Sequence, residues 1–150
     1  MEYSITGGES MDTYERILEE CFCYNVITIG ANGYPFNVSF TSIFHREGHQ
    51  ILYFLISDDS KIVKNIESNP KGSVSCSTGS NEANIETLTL EGMFSIEKLD
   101  TYQELKIEIA HLGKILGHEK TQLLKFEMVE TEVNNIVNLG LYYNWSSSLF

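Results

Sequence analysis

The sequence predicts one mainly β domain of the α+β class, in which about six short antiparallel strands close into a small barrel with flanking helices. Strand-like runs recur at short intervals, and the first of them are joined by tight-turn residues instead of the helical crossovers a parallel doubly wound sheet requires. A chain of 150 residues, 42% of them hydrophobic and including eight Phe and eight Tyr, builds one core without a metal or disulfide. Barrel closure also removes the exposed strand edges that so many strands would otherwise present.

Met11, Tyr14, Ile17, Leu18, Cys21 and Phe22 recur at helical spacing, and Asp12 followed by Glu15 resembles a capping box, so 11–23 reads as an amphipathic helix. The β-branched run 26–31 leads into Asn32-Gly33, the dipeptide that best tolerates the positive φ of a hairpin turn. Beyond Tyr34-Pro35, Phe36, Val38, Phe40, Ser42 and Phe44 alternate with Asn37, Ser39, Thr41, Ile43 and His45, a strand with one greasy and one largely small, polar face. Arg46-Glu47-Gly48 reads as a turn and 50–55 as a third strand, which places three consecutive strands side by side as a meander.

Asp58-Asp59-Ser60 offers capping oxygens to a short helix carrying Ile62, Val63 and Ile66, stopped by Asn69-Pro70. A fourth strand is expected at 74–77 and a long fifth over Leu88, Leu90, Phe94 and Ile96. Gly92 within it marks a bulge or the close approach of another backbone. A second substantial helix is expected over 100–116 from Tyr102, Leu105, Ile109 and Leu112, then strands at 123–128 and 133–142 and a tail at 143–150. No linker or repeat divides the chain, so 1–150 reads as a single domain.

A formal net charge of −11 repels nucleic-acid phosphates and excludes that class of partner. No apolar run approaches the roughly 20 residues of a membrane-spanning helix, and 1–10 lacks the pattern of a signal peptide, so a cytoplasmic location is expected. Cys21, Cys23 and Cys76 have neither redox-pair nor zinc-knuckle spacing and read as reduced, mostly buried thiols. His45, His49, His111 and His118 read as surface or packing residues, since no carboxylate or cysteine cluster completes a metal set. Nucleophile elbow, Walker loop and Rossmann fingerprint are all missing, which removes support from hydrolase, nucleotidase and dehydrogenase readings.

The stretch from Tyr53 to Lys71 is the most informative chemically. A strand feeds a loop in which the Ser60 hydroxyl, the Lys61 ammonium and the first helical N–H groups can converge on one anion, with Lys64 a turn further on. The same residues also read as a helix cap with solvated lysines. One or two local cations suffice to bind a single phosphoryl group within a diffusely acidic chain, because salt screens the rest over about 8 Å.

Taken in order, Val26-Ile27-Thr28-Ile29-Gly30-Ala31-Asn32-Gly33-Tyr34-Pro35, a strand, Ile51-Leu52-Tyr53-Phe54, Ser60-Lys61 and Asn69-Pro70 resemble the pyridoxamine 5′-phosphate oxidase-like family of FMN-binding split barrels. The likeness in order and spacing runs from about residue 11 to 96, and the later elements are compatible to about residue 142. It implies a six-stranded antiparallel split barrel that pairs as a homodimer with the cofactor at the interface. It further implies that Ser60 and Lys61, with Lys64, hold the FMN phosphate, and that Ser39, Thr41, Ser42 and Ile43 run along the ring system. Phe54 and Leu55 would then wall the ribityl chain, while Thr87 and the Trp145 of the neighbouring copy reach the cofactor. For Ser39, Thr41 and Thr87 the plain alternative is a solvent-facing sheet, and for Trp145 packing on its own subunit.

The implied activity is an FMN-dependent oxidoreductase passing a hydride from a nicotinamide, NAD(P)H, or another small molecule to a small electrophile. A flavin- or haem-holding module without turnover is the alternative, and FMN, a deazaflavin and haem all remain open as the cofactor. The tail 142–148 lacks the Arg and His that true pyridoxamine phosphate oxidases use for their substrate, which counts against vitamin oxidation itself.

Overall fold

The computed structural model describes residues 5–6, 11–78, 85–97 and 121–136. In chain order these form β1 (Ile5–Thr6), α1 (Met11–Glu20), β2 (Tyr24–Ile29), β3 (Pro35–Phe40), β4 (His45–Glu47) and β5 (Ile51–Ser57). They continue as α2 (Lys61–Ser68), β6 (Lys71–Thr78), β7 (Ile85–Glu97) and β8 (Thr121–Ile136). The mainly antiparallel β architecture expected from the sequence is present, with β1 the one parallel partner, on β8. The expected helix at 100–116 and the tail at 143–150 lie outside the described residues.

Local chemistry accounts for the first hairpin. Gly33, at φ 82°, takes the left-handed conformation that an Asn-Gly turn supplies. The Gly33 N–H donates to the Gly30 carbonyl and the Gly30 N–H to that of Tyr34, each at 2.9 Å. This pins the register of β2 against β3 from Tyr24↔Phe40 to Ile29↔Pro35.

The expected three-strand meander is not formed. The sheet follows the order β3-β2-β6-β7-β8-β5-β4, so β3 and β5 do not pair and the consecutive strands β3 and β4 lie at opposite ends. The alternation expected to run on to Phe44 stops at Phe40, and residues 41–44 cross from one edge to the other. A flat seven-stranded path would be about 29 Å wide at normal strand spacing. Five Cα steps from Phe40 to His45 reach at most about 18 Å, so the sheet has to curl. The Phe40 and Phe54 rings meet at 5.0 Å across the curl, and the Phe44 N–H donates to the Tyr53 carbonyl at 2.8 Å.

Among the described residues no ladder closes the sheet, and the expected closed barrel of six strands is not found: the seven-strand path is open, with β3 and β4 as its edges. A covalent link and the core behind it do what edge pairing was expected to do.

The two strand candidates at 123–128 and 133–142 are one continuous strand, β8, as far as residue 136. Register explains the misreading. Glu91 stands opposite Glu130 but Gly92 opposite Met128, which leaves Val129 as the extra residue of a bulge. Val129 and Glu130 are both exposed, and this break in alternation mimics a strand end. Gly92 makes the expected close approach, since a Cβ built on it would lie 2.2 Å from the Glu127 carbonyl oxygen.

The core is filled from all sides by Tyr14, Ile17 and Leu18 of α1, Val26, Leu52, Phe54, Leu88, Leu90, Phe126 and Met128, with Ile62 and Ile66 of α2. A bidentate pair between Arg46 and Glu15, at 2.6 and 2.8 Å, anchors α1 to β4. The Arg46 guanidinium holds the Glu15 carboxyl below its ordinary range, against the effect of burial, and His49 adds to the lowering.

Candidate functional site

Helix α2 follows β5 after one tight turn, in which the Ser60 N–H donates to the Ser57 carbonyl at 3.0 Å. Ser60 is extended, and its hydroxyl oxygen accepts from the Ile62 N–H at 3.2 Å, so of the three candidate capping oxygens this one is used. Asp59 instead accepts from the Ser57 hydroxyl at 2.5 Å. The Val63 N–H donates to the Ser60 carbonyl, which leaves the N–H of Lys61, the first of the helix, without an intrahelical acceptor.

Two contacts fix the orientation of α2. Its Asn65, 4% exposed, donates from Nδ2 to the hydroxyl oxygen of the fully buried Thr28 at 3.0 Å. At its start, the Lys61 Nζ lies 4.8 Å from the ring centroid of Phe36. Thr28 and Phe36 face each other across the β2–β3 pair, so the phosphate-type elements of the sequence sit at the Pro35 end of β3.

The charge distribution singles out the same place. Of the described basic side chains, Arg16 pairs with Glu20 and Glu86, Arg46 with Glu15, and Lys125 with Glu97. Lys61, Lys64 and Lys71 make no ion pair within 4 Å among the described residues, and two of these three stand one turn apart on α2. Lys61 and Lys64 are both exposed. One ammonium held over a ring, one hydroxyl and one uncommitted N–H make a donor set suited to a single phosphoryl group.

The remaining expected residues lie at different distances from that helix start. Ser39 is exposed on the outer face of β3 and donates to the Asn25 side-chain oxygen at 2.8 Å. Thr41 and Ser42 are exposed in the crossing segment, and Ile43 is half-buried against the core. Leu55 is half-buried on β5. Phe54 is 0% exposed and packed on Phe40, so its ring belongs to the core and only its backbone can face a ligand.

Thr87, half-buried on β7 opposite Ser77 and Asn134, is three strands from β3, a separation of about 14 Å. A single chain therefore does not gather all these residues into one enclosed pocket. Trp145 lies outside the described residues.

Two features escape a reading by motif. Asn25 partners Ser39, and with Ser75 and Thr89 it forms a continuous small-polar row across four strands of the outer face. Alternation within each strand hinted at this row, but only the register aligns it. An open groove of about 450 Å³ lies on the same face beside that row, between Ile27, Ile29, Lys71, Met93 and Val129.

No protein-family model and no curated protein matches the sequence. Solved structures do match in three dimensions. A general stress protein 26 from Bacillus anthracis superposes with a TM-score of 0.62 at 17% identity, over 84% of this chain and 96% of that one. A related protein from Clostridium acetobutylicum, described as of the pyridoxinephosphate oxidase family, gives 0.64 at 17% identity over 86% and 89%. The haem storage protein HutZ from Vibrio cholerae gives 0.57 at 20% identity over 84% and 92%.

The chain has the pyridoxamine 5′-phosphate oxidase-like split-barrel fold. The opening in the sheet lies between its edge strands β3 and β4, which the segment 41–44 connects. Among the described residues, no helix is long and apolar enough to cross a membrane.

Proposed function

We propose that this split barrel is an FMN-binding flavoprotein acting as a homodimer, with Ser60 and Lys61 holding the phosphate and Lys64 adding charge at its edge. The observation that carries this reading is the pair of lysines at the start of α2 without carboxylate partners among the described residues, one of them held over Phe36, in a chain of net charge −11. Among the described residues three cations lie outside any ion pair, and two of them on one helix turn favour an anionic ligand there.

The crossing segment then offers backbone groups of Thr41, Ser42 and Ile43, and the Ser39 hydroxyl, to the polar edge of a ring system lying along β3. Leu55 supplies apolar wall, and Thr87 acts from across the sheet. Because these groups are spread over one chain, the reading has a second copy complete each site, with the small-polar outer face turned toward it. Bound FMN supplies two-electron chemistry, and the protein's share is position, hydrogen bonds and an open face for a hydride donor such as NAD(P)H. The acceptor in this reading is a small electrophile.

A second reading, a haem-holding module without turnover, is favoured by the fold's likeness to a haem storage protein. Absorption spectra of the protein as purified, and after addition of FMN or haemin, separate the two. Flavin bands with quenched flavin fluorescence support the first reading and a haem Soret band the second. A chain that stays colourless with both and sediments as a monomer overturns the proposal.

A further inference from the structure

Helix α2 rests on the first hairpin pair upon pair. The Asn32-Gly33 turn pins β2 against β3, and the register it sets puts Thr28 directly opposite Phe36. Alternation turns both side chains inward, Thr28 fully buried and Phe36 half-buried against the core. On α2, Lys61 and Asn65 are four residues apart and share one helix face, about 6 Å from each other along the axis. Residues opposite one another across an antiparallel pair have Cα atoms about 4.5–5.5 Å apart. The two spacings nearly match, so a helix pair can sit on a strand pair. Asn65 Nδ2 donates to the Thr28 hydroxyl at 3.0 Å, and Lys61 Nζ lies 4.8 Å from the Phe36 ring centroid.

The Asn65–Thr28 bond is buried and directional, and it fixes where α2 lies along β2. That placement brings Lys61 over Phe36. An exposed lysine in the first turn of a helix otherwise samples many rotamers, all but a few of which it must give up on binding an anion. The negative face of the ring attracts the ammonium and narrows that sampling in advance.

We propose that Phe36 is a positioning residue for the phosphate site: its ring holds the Lys61 ammonium in place at the start of α2 before the anion arrives. The inference rests on the reading of this helix start as the site of the FMN phosphate. Two further donors belong to the same turn. The Lys61 N–H has no intrahelical acceptor, and the Ser60 hydroxyl, which accepts from the Ile62 N–H, keeps its own proton to donate. Phe36 acts on the ligand only through Lys61, so its removal raises the ordering cost of binding without removing a donor. A cation–π contact at an exposed site corresponds to about a two- to fivefold change in affinity.

The test titrates FMN, and riboflavin, which lacks the phosphate, into the full chain by flavin fluorescence. Wild type is compared with Phe36→Leu, which keeps apolar bulk but has no π face, with Phe36→Tyr, with Lys61→Ala, and with Phe36→Leu and Lys61→Ala combined. Phe36→Leu should weaken FMN about two- to fivefold and leave riboflavin unchanged, and Phe36→Tyr should bind FMN as wild type does. Once Lys61 is alanine, Phe36→Leu should have no further effect. In the ligand-free chain, the Lys61 methylene protons next to the ammonium should be shifted upfield by the ring in wild type and not in Phe36→Leu. Equal FMN affinity of wild type and Phe36→Leu, an equal loss for riboflavin, or an undiminished loss in the Lys61→Ala background overturns the positioning role and leaves the phosphate reading standing. Wild type that binds FMN no better than riboflavin overturns the phosphate reading and this inference with it. Absence of the upfield shift in wild type overturns the positioning role whether or not Phe36→Leu folds.

Discussion

Gly92→Ala tests whether the β7–β8 bulge is a steric necessity. The added Cβ would meet the Glu127 carbonyl oxygen at 2.2 Å and its carbon at 2.9 Å, with the Phe126 ring also at 2.9 Å. Restoring ordinary contact takes about 1 Å of displacement, and the obstacle is backbone in the longest strand pair of the sheet, so no rotamer change relieves it. Overpacking of this kind costs about 1–3 kcal/mol, and each weakened ladder bond adds about 0.5–1.5 kcal/mol, which together give about 2–4 kcal/mol. For a chain of this length that lowers the thermal midpoint by about 5–15 °C. Urea unfolding, followed by fluorescence and circular dichroism together, should show the midpoint falling with the m-value unchanged. Gly33→Ala is the contrast, because a Cβ there meets nothing within 4 Å and its cost, about 1–2 kcal/mol, comes from φ alone. A Gly92→Ala loss below about 0.5 kcal/mol would refute the reasoning, since it would mean β7 and β8 separate freely at the bulge.

Lys61→Ala should weaken FMN binding about tenfold or more, the worth of one charge-assisted hydrogen bond, while moving the urea midpoint little; equal affinity by fluorescence titration would remove this lysine from the site. Asn65→Ala strands the buried Thr28 hydroxyl and should cost about 1–3 kcal/mol, part of which Thr28→Val in the same chain restores, as read by a double-mutant cycle. Glu15→Gln removes one side of the Arg46 pair and should cost about 1–2 kcal/mol near neutral pH, a figure reduced for partial exposure. The Glu15 carboxyl is lowered in the folded state, so this difference is full above its unfolded value and vanishes as pH falls through the folded one; a gap between wild type and variant that persists in acid would contradict the pairing.

Much of the local structure is legible in the order of residues. Asn32-Gly33 marks the first hairpin, Ser60 the cap of α2, Asn69-Pro70 its end and Gly92 the bulge, because each depends on φ preferences or on donors within a few positions. The order of such signals also led to the fold, which the superposed stress proteins share at 17% identity. The proposed phosphate-binding residues Ser60, Lys61 and Lys64 were nameable from the sequence, but not the contact of Lys61 with Phe36, which depends on how α2 packs across the β2–β3 pair.

What the chain order determined by itself was therefore the inventory: mainly antiparallel strands, two short helices among the described residues, their caps and turns, and which side chains are small and polar. Partnership was decided only in three dimensions. That β3 and β4 stand at opposite edges, that 123–128 and 133–136 are one strand, and that Phe54 is core all depend on strand pairings tens of residues apart. The physical reason is that hydrogen bonds within a turn are specified by neighbours, whereas sheet order and register minimise the exposed apolar surface of the whole chain at once.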